Sequence, residues 1–123
     1  MNTGLGQEIQ YRLLKLLSAD GSLTQREMSK RIGVSLGIVN FFLSDLTRRG
    51  LIFIEQTRMF GNRIKYRYLL TSAGMEEKTR LALNFLKLRI EDYEKIKSEI
   101  RELAEEVAPA DVGIFTGRAK RTP

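Results

Sequence analysis

The segment from Ser22 to Leu70 constrains this chain more than any other, because it sets out two helical patterns joined at a glycine corner and then two strand-like runs around a basic tip. Thr24, with Glu27 three residues later, fits a capping box: the hydroxyl accepts the amide of residue 27 and the carboxylate reaches back to the amide of residue 24. Met28 and Ile32, four apart, share one helix face that can be buried. Gly33 stands where that helix must stop and turn. Val34 is apolar enough to plug the corner, and Ser35 is a good N-cap for a second helix. In that helix Val39, Phe42, Leu43 and Leu46 recur at i, i+3, i+4 and i+7, a single apolar stripe. Gly50 ends it as a C′ glycine, with Arg48 and Arg49 in the last turn, where cations suit the helix dipole.

Leu51 to Thr57 and Lys65 to Thr71 are rich in β-branched and aromatic residues, as strands are. The segment between them carries Gly61-Asn62 as its turn signal. From Gln56 to Tyr68 there are four cations (Arg58, Arg63, Lys65, Arg67) and no acid. The order is helix-turn-helix plus a hairpin wing, in a chain that is mainly α with a small β-hairpin (α+β). A further helix precedes it: after a short flexible lead, Gln7 to Ala19 places Ile9, Leu13, Leu16 and Leu17 on one face. Ser22-Leu23 is too short to assign as an element, though it could add a small strand to the wing sheet. Helices are expected near 7–19, 24–31, 35–49 and 72–107, with strands near 51–57 and 65–71. The expected core is Leu13, Leu16, Leu17, Met28, Ile32, Val39, Phe42, Leu43, Leu46, Leu51 and Leu70.

Thr71 can cap the last helix, which meets no proline before Pro109. It is expected to run about 35 residues, or ~50 Å at the usual rise. One small lobe needs no helix of that length for its own core. Leu83, Leu86, Ile90 and Tyr93, then Ile96, Ile100, Leu103 and Val107, step by threes and fours, with a stammer between the two runs. Charges fill the positions between them. This reads as a coiled-coil seam for self-association, parallel or antiparallel; the other reading folds it back onto the chain's own core. The expected organisation is a winged helix-turn-helix domain over 5–71, a dimerisation helix over 72–107 and a flexible tail over 108–123 with a basic end.

Charge is distributed unevenly. Met1 to Thr71 holds 11 basic and 5 acidic residues, a net of +6, whereas Ser72 to Pro123 holds 10 of each. The whole excess coincides with the helix-turn-helix half, which points to a polyanionic partner. The chain contains no cysteine and no histidine, so disulfides, thiolate metal sites and the commonest general acid/base are absent. No metal, cofactor or catalytic role is expected. No apolar run approaches the ~20 residues of a membrane span and no signal peptide is evident at the N-terminus, so a cytoplasmic protein is expected.

These features point to double-stranded DNA as partner, with the second helix of the motif as the reading element. Leu36, Gly37, Asn40, Phe41, Ser44 and Arg48 lie off its apolar stripe, where a groove can meet them. Ser35 at the helix N-terminus suits a phosphate, as do Arg48, Arg58 and Lys65, and Arg63 suits the minor groove. Asn40 can pair with an adenine edge, while Leu36 and Phe41 can touch thymine methyls. Each has a plainer reading: Asn40 as a solvated helix residue, Phe41 as extra core, Arg63 as a surface cation. The whole module also has one, as a winged-helix adaptor between proteins, although four unopposed wing cations serve an adaptor no purpose.

Residues 23 to 74 resemble the winged-helix domain of MarR-type (multiple antibiotic resistance regulator) bacterial transcription regulators. The likeness lies in Leu23-Thr24-Gln25-Arg26-Glu27, Ile32-Gly33-Val34-Ser35, Leu43, Leu46, Gly50-Leu51-Ile52 and Leu70-Thr71-Ser72-Ala73-Gly74. More narrowly, the span from Tyr11 to about Ile100 is similar to a small branch associated with exopolysaccharide (EPS) gene clusters, through SLGIVNFFL, YRYLLT and GMEEKTRLALNFLK. The resemblance implies a homodimeric, sequence-specific transcription regulator, with an effector left undefined. Two departures stand out. The Asp-x-Arg pair common in that family's wing is here Gly61-Asn62-Arg63, keeping only the arginine. One long helix follows the wing, where the wider family builds its dimer from an N-terminal helix and two C-terminal ones.

Overall fold

The structure, a computed structural model, describes residues 4–111. The order is α1 (Gly4–Ala19), α2 (Gln25–Ile32), α3 (Leu36–Arg48), β1 (Ile52–Arg58), β2 (Ile64–Leu70) and α4 (Ser72–Asp111). The chain divides into two compact units, residues 1–84 and 85–123, so α4 supplies residues to both.

In the first unit the expected caps form. Thr24 accepts from the Glu27 amide at 3.1 Å and its own amide donates to Glu27 Oε1 at 2.8 Å, closing the capping box. Gly33 ends α2 with φ of 83°, a left-handed geometry that a Cβ would strain. Ser35 Oγ accepts from the Ile38 amide at 3.2 Å at the start of α3. At the other end of α3 the Leu51 amide donates to the Leu46 carbonyl and the Gly50 amide to that of Thr47, the paired bonds of a Schellman turn.

The core is built from Leu13, Leu14, Met28, Val39, Phe42, Leu46, Ile52 and Leu81, with Ile9, Leu17, Leu23, Ile32, Leu43, Leu51 and Tyr68 around them, all buried. Each large apolar side chain removed from water contributes roughly 1.5–3 kcal/mol. Two expected members, Leu16 and Leu70, are only half-buried. On α1 the buried stripe runs Gly6, Ile9, Gln10, Leu13, Leu14 and Leu17. It is rotated towards Leu14, so Leu16 falls on its margin, and it begins at Gly6, a turn ahead of the expected face. Gln10 belongs to it because Arg49 Nη2 donates to its Oε1. An amide satisfied in this way can be buried without a large penalty.

β1 and β2 form a two-stranded antiparallel hairpin pairing Ile52 with Leu70 through to Arg58 with Ile64. The Tyr68 amide donates to the Gly21 carbonyl at 2.9 Å, and Ser22-Leu23, which could have added a small strand, forms none. Thr71 caps α4. Its Oγ1 accepts from the Gly74 amide at 3.0 Å and donates to the Gly50 carbonyl at 2.7 Å. A Cβ on Gly74 would stand 2.0 Å from the Leu51 carbonyl oxygen, so this close crossing of backbones requires glycine.

Within the second unit, Leu86, Ile90, Tyr93, Ile96, Ile100, Leu103 and Val107 are all exposed, as is Leu83 within the first. Glu94 and Lys97 pair at 3.6 Å, and Lys97 Nζ lies 5.3 Å from the Tyr93 ring centre. α4 runs past Val107 and Pro109 to Asp111. The tail expected from 108 onward otherwise lies outside the described residues.

Candidate nucleic-acid interface

α3 separates its two faces cleanly. Val39, Phe42, Leu43 and Leu46 are buried, while Leu36, Gly37, Asn40, Phe41, Ser44 and Arg48 are exposed. This follows from the stripe at i, i+3, i+4 and i+7, which turns the intervening residues to solvent. Phe41 is 49% exposed, and its ring meets Phe42 edge-on with centroids 5.1 Å apart. It therefore braces the core from outside and still offers an apolar surface.

The charges at the C-terminal end of α3 are not equivalent. Asp45 pairs with both Arg48 and Arg49, the latter at 3.0 Å. Arg49 also holds the buried Gln10 amide, so its guanidinium is committed to the fold. Arg48 keeps 75% of its side chain exposed. An exposed ion pair contributes about 0–1 kcal/mol, so Arg48 can exchange Asp45 for a phosphate at small cost.

On the wing Arg58, Arg63 and Lys65 are exposed. Arg67 is not unopposed, since its Nη1 lies 3.4 Å from Glu55 Oε1 on the facing strand. Three wing cations, not four, therefore stand without an ion pair among the described residues. Tip geometry is set by Gly61 at φ 73° and by the Met59 amide donating to the Arg63 carbonyl at 2.7 Å. The wing is more apolar than its charge suggests: Phe53, Ile54, Ile64 and Tyr66 are about half exposed and Phe60 is 99% exposed.

Between the wing and the start of α2 lies a crevice of about 620 Å³, lined by Thr24, Gln25, Phe60, Arg63, Lys65 and Tyr66 among others. A shallower groove of about 360 Å³ runs along α3 past Asn40, Ser44 and Arg48 to Ile54. Gln25 lines both. Asn40 Nδ2 donates to Gln25 Oε1 at 3.4 Å, and Gln25 Nε2 donates to the Tyr68 hydroxyl at 3.3 Å. Reading the sequence missed Gln25 and Tyr68 as site residues. The only signal was Gln25's place as the first residue of α2, right after the cap. Among the described residues no group of His, Cys, Asp or Glu could hold a metal ion, and no helix is long and apolar enough to cross a membrane.

Comparisons agree with this geometry. Residues 7–52 match the family described as winged helix-turn-helix DNA-binding. No curated protein sequence matches the chain. Among solved structures it is similar to the PcaV transcriptional regulator from Streptomyces coelicolor in complex with its natural ligand, at 25% identity over 82% of this chain and 73% of that one, with a TM-score of 0.57. It is also similar to smu.1704 from Streptococcus mutans, at 20% identity over 79% of this chain and 94% of that one, with a TM-score of 0.65. A third likeness is to Staphylococcus aureus MarR in complex with salicylate and kanamycin, at 17% identity over 83% and 73%, with a TM-score of 0.52. The chain thus carries a winged helix-turn-helix DNA-binding domain, in a fold shared with MarR-family regulators.

Proposed function

We propose that this protein is a sequence-specific, DNA-binding transcription regulator that acts as a homodimer. The carrying observation is that α3 presents Leu36, Gly37, Asn40, Ser44 and Arg48 on one exposed face, in the same compact unit as a wing bearing Arg58, Arg63 and Lys65. The net charge of +6 over residues 1–71 supports a polyanionic partner. In this reading α3 enters the major groove. Ser35, Arg48, Arg58 and Lys65 meet phosphates, and Arg63 enters the minor groove. Asn40 reads an adenine edge, with Leu36 and Phe41 against thymine methyls.

The homodimer rests on the exposed row Leu83, Leu86, Ile90, Tyr93, Ile96, Ile100, Leu103 and Val107. A row of apolar side chains at heptad-like spacing is buried by a second copy in a coiled coil. A closed C2 pair is the commonest such assembly. Exopolysaccharide genes are the targets implied by the narrower resemblance. One observation favours the second reading, an adaptor between proteins: the half-exposed apolar residues Phe53, Ile54, Ile64 and Tyr66 on the wing.

Binding to mixed genomic DNA, titrated across salt concentrations, distinguishes the two. A regulator gives a linear fall of log affinity with log salt, and Arg58→Ala makes that slope shallower by about one. An adaptor gives no salt-dependent binding.

A further inference from the structure

Asn40 is already held by the protein on one side. The hydrogen-bond chain from Tyr68 through Gln25 to Asn40 draws on β2, α2 and α3 in turn. Tyr68 is 7% exposed, and its backbone is tied to Gly21, so the chain starts from a fixed point. Donor and acceptor chemistry then couples the two amides. With Gln25 Nε2 donating to the Tyr68 hydroxyl, Gln25 Oε1 faces Asn40, and only the Asn40 NH₂ can donate to it. Turning one amide alone would set NH₂ against NH₂ or oxygen against oxygen; turning both together reverses the chain, with the Tyr68 hydroxyl donating to Gln25.

Either direction leaves Asn40 with at least one free N–H and one free Oδ1 lone pair. An adenine edge requires that pair, the oxygen accepting from N6 and the N–H donating to N7. We propose that Gln25, braced by Tyr68, is a positioning residue that presents the Asn40 amide in its base-reading orientation. Gln25 itself touches no base in this arrangement. The inference rests on the base-reading role of Asn40 given above.

The test uses the full chain and duplexes carrying the site that it selects, with each base pair replaced in turn. Asn40→Ala should relax preference at one base pair. Gln25→Ala should relax preference at the same base pair by about three- to tenfold, the scale of one net hydrogen bond. Combined with Asn40→Ala it should add nothing further there, because residues acting as a unit are not additive. Tyr68→Phe should act in the same direction and more weakly. The salt slope should stay at its wild-type value in all of them. Gln25→Glu guards against a folding defect: it keeps an oxygen facing Asn40 and lets the Tyr68 hydroxyl donate, so base preference should survive while overall affinity falls. Relaxation by Asn40→Ala with none by Gln25→Ala would overturn the positioning role alone. So would additive effects, which would make Gln25 an independent contact. A protein that selects no site, or an Asn40→Ala variant with unchanged preference, removes the base-reading role and this inference together.

Discussion

Arg49, at the C-terminal cap of α3, donates through Nη2 to the amide oxygen of Gln10, which is only 4% exposed on α1. The pair joins the first helix to the reading helix through a part-buried polar contact. Arg49→Ala would leave that oxygen without its partner and should lower stability by about 1–3 kcal/mol. Gln10→Leu fills the same space without a polar atom and should cost less. Denaturant midpoints of the two variants decide this; equal losses would show that the contact contributes nothing beyond its volume.

Gly74 should respond to alanine in the opposite direction from an ordinary helix glycine. Elsewhere in a helix the change gains roughly 0.5–1 kcal/mol. Here the new methyl would meet the Leu51 carbonyl oxygen at 2.0 Å. The clash is with backbone, so it should cost about 1–3 kcal/mol, as overpacking does. Thermal unfolding of Gly74→Ala checks the sign, and a raised Tm would refute the close crossing.

The capping box should titrate. Hydrogen bonds from the backbone and side chain of Thr24 hold Glu27 below its ordinary value of 4.5, and the carboxylate is fully exposed. A group with a depressed folded-state pKa contributes stability above its unfolded value and loses it as pH falls through the folded value. Glu27→Gln keeps an acceptor for the Thr24 amide but cannot titrate. Wild type should therefore be the more stable above pH 4.5, and the difference in Tm should close on acidification below it. A difference independent of pH would place the effect elsewhere.

Most of the fold was legible because its signals are local. Thr24 with Glu27, Gly33, Ser35, Gly50 and Thr71 each fix a helix end through a few neighbouring atoms, and the stripe on α3 fixes its buried face. What stayed hidden depends on distant partners. Gln10 is polar in sequence and buried only because Arg49 reaches it. Arg67 counts as an unopposed cation until strand pairing sets it opposite Glu55. The same holds for the interface: the exposed face of α3 follows from periodicity, whereas the Gln25 bridge from Tyr68 to Asn40 joins three elements that no spacing rule relates.

The exposed row on α4 should carry the dimer. Ile100 is 56% exposed, and a charge there would be buried at a coiled-coil seam. Ile100→Glu should leave far-UV circular dichroism of the winged domain intact, shift sedimentation from dimer to monomer, and weaken DNA binding by losing bivalency. Wild type sedimenting as a monomer at high micromolar concentration would contradict the assembly.

Selection of bound duplexes from a random pool, with wild-type protein at fixed moderate salt, tests the central claim of sequence-specific reading by α3 most directly. The expected result is convergence on one motif of two inverted half-sites about one DNA turn apart, ~34 Å, or a multiple of that, each containing an adenine whose enrichment disappears with Asn40→Ala. A pool that stays as diverse after selection as before it would contradict the account.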